Sequence, residues 1–194
     1  FAARRLASLL MQSTAKERLG FVQFHQSYSY EDFVEGFRPS KDGFELRTGK
    51  FVNFCSQAAE DPNNRHVFII DEINRGNLSR ILGELMLLIE PDKRSEKWAM
   101  PLAYGNEPFH VPGNVFLLGL MNTADRSLSV VDYALRRRFA FVDLEPKIEG
   151  EKFAAHLQSE GVSKSTIDLV RTRISELNSA IAMDTQSLGK GFVI

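Results

Sequence analysis

Short apolar runs alternate with amphipathic helical patterns along this chain. A short apolar run bounded by polar residues is typical of a strand that a parallel sheet buries on both faces. Such runs predict strands at 21–24, 67–70, 114–122 and 139–144. Helical patterns with one apolar face lie at 1–11, 31–37, 51–60, 77–90 and 129–137. This alternation predicts an α/β fold with helices on both faces of a parallel sheet, whose first strand is missing because the chain opens on a helix.

The pattern changes near Pro146. Helical segments at 150–159 and from 163 to about 183 carry polar residues on most turns, so we expect an α/β core at 1–146 and a helical lid at 147–194. Turn-forming residues around 104–106 predict a β-hairpin at 98–112, inserted between core elements. Neither end of the chain has the pattern of a natural terminus, and we expect a piece of a longer protein.

Composition narrows the class of protein. Hydrophobic residues make up 43% and charged residues 25% of the 194, as in soluble globular proteins. The formal net charge of −1 gives no overall basic field for nucleic acid. The single cysteine, Cys55, excludes disulfides within the chain and favours a reducing compartment. No apolar run approaches the ~20 residues that span a bilayer, so we expect a cytoplasmic location and no membrane partner.

Two adjacent carboxylates, Asp71 and Glu72, follow the predicted strand at 67–70. Ligands bind at the carboxyl edge of an open α/β sheet, where these residues would lie. In a phosphate-handling site, Asp71 would hold Mg²⁺, directly or through water, and Glu72 would polarise the attacking water. A strand that ends in a solvated acidic turn explains the same two residues about equally well.

Asn122 follows the next buried strand and would lie on the same edge if the two strands are neighbours. An amide there can donate to a phosphoryl oxygen or orient a water molecule. Alone, Asn122 is better explained as the end of a strand. Together with Asp71 and Glu72, the interpretation as part of a site is preferred.

Three arginines, at 136–138, end the helix predicted before them. Cations are favoured at a helix C-terminus, and this capping is the simple explanation. Capping does not need three arginines. The functional alternative is that one of them contacts the nucleotide bound to a neighbouring subunit. Nucleic acid phosphates are a further alternative, but no aromatic or second basic cluster lies beside the arginines in sequence.

Three strings together resemble the AAA+ motors of McrB-type subunits, which hydrolyse nucleotide in modified-cytosine-specific McrBC restriction systems. They are VFIIDEINRGN at 67–77, MNTADRS at 121–127 and ALRRRF at 134–139, supported by FHQSYSYEDF at 24–33 and LGKGF at 188–192. The resemblance covers nearly the whole chain. It implies the three-layer αβα core of P-loop NTPases with the start of a helical lid.

The resemblance also implies roles for the polar residues. Asp71 and Glu72 match the Walker B pair, with Asp71 assisting Mg²⁺ and Glu72 activating water. Asn122 matches sensor 1, and the string from Asn122 to Asp125 matches a signature associated with a preference for GTP over ATP.

Other implied residues concern a neighbouring subunit. Arg75 lies in the loop that faces the neighbour in this family. Arg137 and Arg138 match the trans-acting positions, and the sequence does not decide which of them is the arginine finger. The family forms hexameric rings with an McrC nuclease subunit, and it contacts DNA through domains that this chain lacks.

One family motif is absent from the 194 residues, because Gly-x-x-x-x-Gly-Lys-Ser/Thr does not occur in them. In the family this Walker A loop precedes the helix that opens this chain, so we expect the chain alone to bind nucleotide poorly and to be inactive. Two alternatives to a GTPase remain. One is an ATP-hydrolysing relative of the dynein-related or MoxR type, and the other is a non-catalytic module that presents a ring interface to a nuclease.

Overall fold

The computed structural model of the chain describes residues 2–121, 136–144 and 147–183, with the side chains of 181–183 left out. These residues form two compact units, one of 2–121 with 136–138 and one of 139–144 with 147–183. The strands are β1 Leu19–Gln23, β2 Glu35–Ser40, β3 Gly43–Thr48, β4 His66–Asp71, β5 Met100–Pro101, β6 Pro108–Phe109 and β7 Val115–Gly119. The α-helices are α1 Ala2–Met11, α2 Tyr30–Phe33, α3 Lys50–Glu60, α4 Leu78–Leu82, α5 Leu85–Leu88, α6 Glu151–Ser159 and α7 Lys164–Met183.

The main sheet is parallel and has the order β1-β4-β7. In its register Gln23 pairs with Asp71, and Ile70 pairs with Gly119. The parallel sheet predicted from the sequence is therefore confirmed. The strand that carries the two carboxylates is central, and β7 is its neighbour.

Strand β4 is buried on both faces, as its apolar run predicted. Val67 and Ile69 belong to an apolar cluster with Ala7 and Met11 of α1. Phe68 lies between them in sequence and therefore faces the other side of the sheet. Its ring centroid lies 5.8, 5.2 and 5.1 Å from those of Phe33, Phe51 and Phe54, which belong to α2 and α3. Helices therefore cover both faces of the sheet.

The described residues contain two short antiparallel hairpins, which lie in the first unit. Strands β5 and β6 form the hairpin predicted at 98–112. The predicted helix at 31–37 is wrong in its second half, because α2 ends at Phe33 and Glu35–Ser40 pairs with Gly43–Thr48. This pairing supplies hydrogen-bond partners to the backbone of β2. Pro39, which cannot donate, is tolerated because the ladder has only two strands.

The helix predicted at 77–90 is two helices, α4 and α5. Asn77 caps α4 as predicted, because its side-chain oxygen accepts from the Arg80 N–H at 3.0 Å. The break falls at Gly83, whose φ of +49° leaves the right-handed helical region. A Cβ at this position would lie 2.8 Å from Cε2 of Tyr30, so the packing of Tyr30 also requires glycine there.

The core strand predicted at 139–144 is wrong. These residues have no regular secondary structure, and Phe141, Val142 and Leu144 are 48%, 78% and 78% exposed. An apolar run becomes a strand only where a neighbouring strand can pair with it, and the ladders of the described residues do not include this segment. Most of the helix predicted at 129–137 lies outside the described residues. The domain boundary near 146 stays a prediction, and the two units divide between Arg138 and Phe139.

Candidate functional site

The carboxyl ends of β1, β4 and β7 meet at one edge of the sheet. Backbone hydrogen bonds hold the three ends together just beyond the ladder. The Phe24 N–H donates to the Asp71 carbonyl, the Leu120 N–H donates to the Ile70 carbonyl, and the Ile73 N–H donates to the Leu120 carbonyl, each at 2.9 Å. Asp71 and Glu72 thus leave the central strand beside the point where β7 ends. Asn122 follows this point two residues after Leu120, but Asn122 and Asp125 both lie outside the described residues.

Glu72 has a left-handed backbone conformation, with φ of 52° and ψ of 43°. A residue other than glycine pays on the order of 1 kcal/mol for this conformation, and such residues concentrate at functional sites. The Glu72 N–H donates to Oδ1 of Asp71 at 3.1 Å. Oε2 of Glu72 is buried and makes no hydrogen bond to any described residue. This edge of the sheet therefore holds Glu72 in a strained backbone conformation, with one carboxylate oxygen that makes no hydrogen bond to a described residue.

Arg75 contacts this carboxylate from within the same chain. Its Nε lies 3.3 Å from Oε2 of Glu72, and its side chain is 42% exposed. A short 3₁₀ turn, Ile73–Arg75, sets this distance, because the Arg75 N–H donates to the Glu72 carbonyl at 2.8 Å. Ile73 anchors the turn in the core with 7% exposure. The structure therefore brings Arg75 to Glu72, and its predicted role toward a neighbouring subunit stays a prediction.

The role of Asp71 as a magnesium ligand stays a prediction, and the question is whether its surroundings suit that ion. The described residues contain no cluster of three or more His, Cys, Asp or Glu side chains that could enclose a metal ion. Mg²⁺ is commonly held by one or two carboxylates together with water and substrate phosphates. A single carboxylate at the open edge of a sheet suits that mode of binding.

The structure separates the two arginines that the sequence left undecided. The Arg138 side chain is 5% exposed, its Nη2 lies 2.7 Å from Oε1 of Glu90, and its Nε donates to the Met86 carbonyl. The Arg137 side chain is 63% exposed, and its Nη2 lies 4.0 Å from the same Glu90 oxygen. Sequence reasoning missed Glu90. An acidic residue directly before Pro91, at the end of a helix, was the available signal.

Comparison with known proteins identifies the family. The AAA domain of the dynein-related subfamily matches residues 1–139. The chain belongs to this AAA family. The match confirms the predicted AAA+ fold class, to which the parallel sheet and the helices on both of its faces conform.

Two curated relatives of this AAA chain are restriction proteins. It is 52% identical over 197 residues to a subunit of Escherichia coli K12, "Type IV methyl-directed restriction enzyme EcoKMcrB subunit", covering 100% of this chain and 43% of the relative. This identity confirms the predicted resemblance to McrB. The "Type II restriction enzyme BsuMI component YdiS" of Bacillus subtilis 168 is 28% identical over 132 residues, which are 61% of this chain and 38% of the relative. The chain thus spans less than half the length of either relative.

Among solved structures, a candidate ATPase from Cytophaga hutchinsonii aligns with this AAA chain. The alignment covers 85% of this chain and 50% of the ATPase chain. The TM-score is 0.42 and the identity 13%, a likeness too low to add to the fold assignment. Separately, no helix in the described parts of the chain has the length and apolar character needed to cross a bilayer.

An aromatic segment next to β1 lies at the same edge of the AAA sheet and was not predicted to belong to the site. Its ring centroids are 4.9 Å apart for Phe24 and Tyr28 and 5.4 Å apart for His25 and Tyr28. Burial, with a smaller contribution from Asp32, raises the pKa of Tyr28 to about 12. Phe24 brings these rings beside the end of β4, because its N–H donates to the Asp71 carbonyl.

Proposed function

We propose that this chain is the nucleotide-hydrolysing AAA+ motor of a modification-dependent DNA restriction system. The observation that carries the proposal is the position of Asp71 and Glu72, at the carboxyl end of the central strand and beside the end of β7. Membership in the AAA family and identity with restriction subunits along the chain support it.

In the proposed reaction, Glu72 takes a proton from water as the water oxygen attacks the γ-phosphorus, and the bond from that phosphorus to the bridging oxygen breaks. A Mg²⁺ ion held by Asp71 would neutralise charge on the phosphates. Asn122 would orient the water or donate to a phosphoryl oxygen. Arg137 or Arg138 would stabilise the charge from a neighbouring subunit. The strained backbone of Glu72 supports its role as the base, because it fixes where the side chain leaves the strand.

We propose GTP as the preferred nucleotide, on the sequence signature from Asn122 to Asp125. ATP is the alternative, in keeping with the dynein-related subfamily to which the chain belongs. A competition series with both nucleotides on the full-length gene product distinguishes them. Equal hydrolysis of ATP would overturn the preference.

The proposed assembly is a hexameric ring in the cytoplasm that works with an McrC-like nuclease and with DNA-binding regions outside this chain. The proposed domains are the α/β core at 1–146 and a helical lid at 147–194, which the helices α6 and α7 support. We further propose that the 194 residues alone hold only part of the nucleotide site, because they contain no Gly-x-x-x-x-Gly-Lys-Ser/Thr loop.

Glu72→Gln in the full-length gene product tests the proposal. Removal of a general base lowers the rate of hydrolysis by about 10²–10⁴-fold, measured as phosphate release in steady state. The matched control is Glu45→Gln, which removes a glutamate that also pairs with an arginine of its own chain, Arg47, but lies on the β2–β3 hairpin. The control is expected to hydrolyse at the wild-type rate. Full activity of Glu72→Gln would instead support a non-catalytic module.

A further inference from the structure

Glu90 joins two consecutive arginines that differ strongly in exposure. Its Oε1 lies 2.7 Å from Nη2 of Arg138 and 4.0 Å from Nη2 of Arg137. The side chain of Arg138 is 5% exposed and that of Arg137 is 63% exposed. One carboxylate thus holds a buried arginine closely and an exposed arginine loosely.

The backbone fixes the position of this carboxylate. Helix α5 ends at Leu88, and the next residue, Ile89, is 2% exposed. Glu90 then has φ of −64° and ψ of 135°, the extended conformation that a following proline favours. Its N–H donates to the Leu87 carbonyl at 3.1 Å, and its carbonyl accepts from Lys93 at 2.9 Å. Pro91 and these two hydrogen bonds therefore set the direction in which Glu90 leaves the chain.

Arg138 is anchored at two points. One nitrogen of its guanidinium pairs with Glu90, and another donates to the Met86 carbonyl in α5. A planar guanidinium can make both contacts at once because it has several donors in a fixed arrangement. Arg138 could enter another subunit's site only by giving up both contacts and leaving its buried position. Arg137 can do so with little change.

We propose that Glu90 is a positioning residue, which anchors the arginine segment through Arg138 and thereby presents Arg137 to the nucleotide site of a neighbouring subunit. The inference rests on the proposed function, in which an arginine acts in trans. Arg137 is then the catalytic arginine, and Arg138 acts through the position it gives to Arg137.

A subunit-mixing experiment on the full-length gene product tests this inference. Glu72→Gln subunits lack the base but supply intact arginines. Arg137→Ala subunits keep the base but supply no trans arginine. Each variant alone is expected to lose nearly all of the wild-type activity. Mixed in equal amounts, they regain roughly a quarter of the wild-type rate, because in a ring with head-to-tail interfaces one pairing in four combines an intact base with an intact arginine.

Glu90→Gln keeps the size of the side chain and removes its charge. Alone, it is expected to lower kcat at least tenfold and to leave KM within about twofold, since the arginine is needed in the transition state more than in binding. Mixed with Glu72→Gln subunits, it regains the same quarter, because its own base then meets an arginine held by an intact Glu90. A residue needed only for folding would not be complemented in this way. Asp92→Asn, which removes a carboxylate that pairs with Lys93, is the control and keeps the wild-type rate.

The outcomes distinguish a failure of the role proposed for Glu90 from a failure of the proposed function. If Arg137→Ala is complemented by Glu72→Gln and Glu90→Gln is not, or if Glu90→Gln alone has the wild-type kcat, the role of Glu90 is overturned and the proposed function stands. If Arg137→Ala is not complemented, Arg137 is not the trans arginine and the inference is overturned, while the proposed function stands with Arg138 in that role. If the wild type hydrolyses no nucleotide, the proposed function itself fails. Should Glu90→Gln fold poorly, Glu90→Asp replaces it, because aspartate keeps the charge but its shorter side chain weakens the pairing with Arg138, and complementation by Glu72→Gln is again the supporting result.

Discussion

The two ends of β4 are built differently. At the amino end, His66 is 3% exposed and its Nε2 lies 3.1 Å from Oδ2 of Asp61. The Asn114 amide nitrogen donates to the carbonyls of Ala58, Asp61 and Asn64 at 2.9, 3.0 and 2.8 Å. Nδ1 of His66 makes no hydrogen bond to a described residue, but the rest of this turn is densely bonded. This end fastens α3, β4 and β7 together.

At the carboxyl end, the polar groups are held less completely. Glu72 has a left-handed backbone, and its buried Oε2 has the Arg75 guanidinium at 3.3 Å but no hydrogen bond to a described residue. Buried polar atoms are normally hydrogen-bonded, so an exception needs an explanation. The two ends of this strand therefore differ in how completely their polar groups are held. We expect the amino end to stabilise the fold and, under the proposed function, the carboxyl end to keep groups available for a ligand.

The first prediction tests whether the amino end of β4 stabilises the fold, and the largest change in unfolding free energy is expected at Asn114. Asn114→Ala leaves the carbonyls of Ala58, Asp61 and Asn64 without their shared donor. Loss of such part-buried hydrogen bonds costs about 1–3 kcal/mol of unfolding free energy. Urea denaturation of the 194-residue chain, followed by circular dichroism, measures the change.

The matched control for this variant is Asn53→Ala. Asn53 also donates to a carbonyl, that of Thr48 at 3.1 Å, but it is exposed, so the expected cost is below about 0.5 kcal/mol. If the two variants lower the unfolding free energy equally, the amino end of β4 is not the stabilising end.

The second prediction concerns the strain at Glu72. Glu72→Gly removes the cost of the left-handed backbone, and we expect it to raise the unfolding free energy of the chain by up to about 1 kcal/mol. The same variant of the full-length gene product should lose nucleotide hydrolysis, because it removes the proposed base. A variant that is more stable but inactive would indicate that the strained backbone of Glu72 serves activity and not stability.

Gln12 gives the matched control, because its φ is also 52° and it follows the last residue of α1. The position after a helix commonly adopts the left-handed conformation and favours glycine. Gln12→Gly should therefore stabilise the chain by a similar amount and leave hydrolysis unchanged. Destabilisation by Glu72→Gly with normal stabilisation by Gln12→Gly would show that Glu72 supports the fold, and the contrast between the two ends would fail.

The periodic features of the fold were accessible from the sequence. The buried run before Asp71 and the parallel sheet were predicted, because burial on both faces leaves a continuous apolar run. The hairpin at 98–112 was predicted from the turn-forming residues at its tip. The helix predicted at 77–90 failed because the apolar pattern continues through Gly83, and only the packing of Tyr30 in the folded chain requires the break.

For the candidate site, the sequence predicted which residues belong to it but not their conformation or contacts. Asp71 and Glu72 were identified from their position after a buried strand. The left-handed backbone of Glu72 and its contact with Arg75 depend on the turn that the folded chain builds. Arg138 and Met86 are 52 residues apart, so no local pattern could connect the arginines to the end of α5.

The smallest predicted effect is a pH dependence at the amino end of β4. A hydrogen bond from Asn64, with further contributions from His66 and Arg18, lowers the pKa of Asp61. The charged form is therefore favoured by folding, and its stabilisation is fully present above the unfolded pKa of about 4. It is lost as the pH falls through the lower pKa of the folded state.

Asp61→Asn should thus flatten the fall in unfolding free energy between pH 5 and about pH 3, measured by urea denaturation at each pH. Asp42→Asn, at the exposed tip of the β2–β3 hairpin, should leave the slope unchanged. Equal slopes in the wild type and Asp61→Asn would contradict a stabilising role of the Asp61 charge.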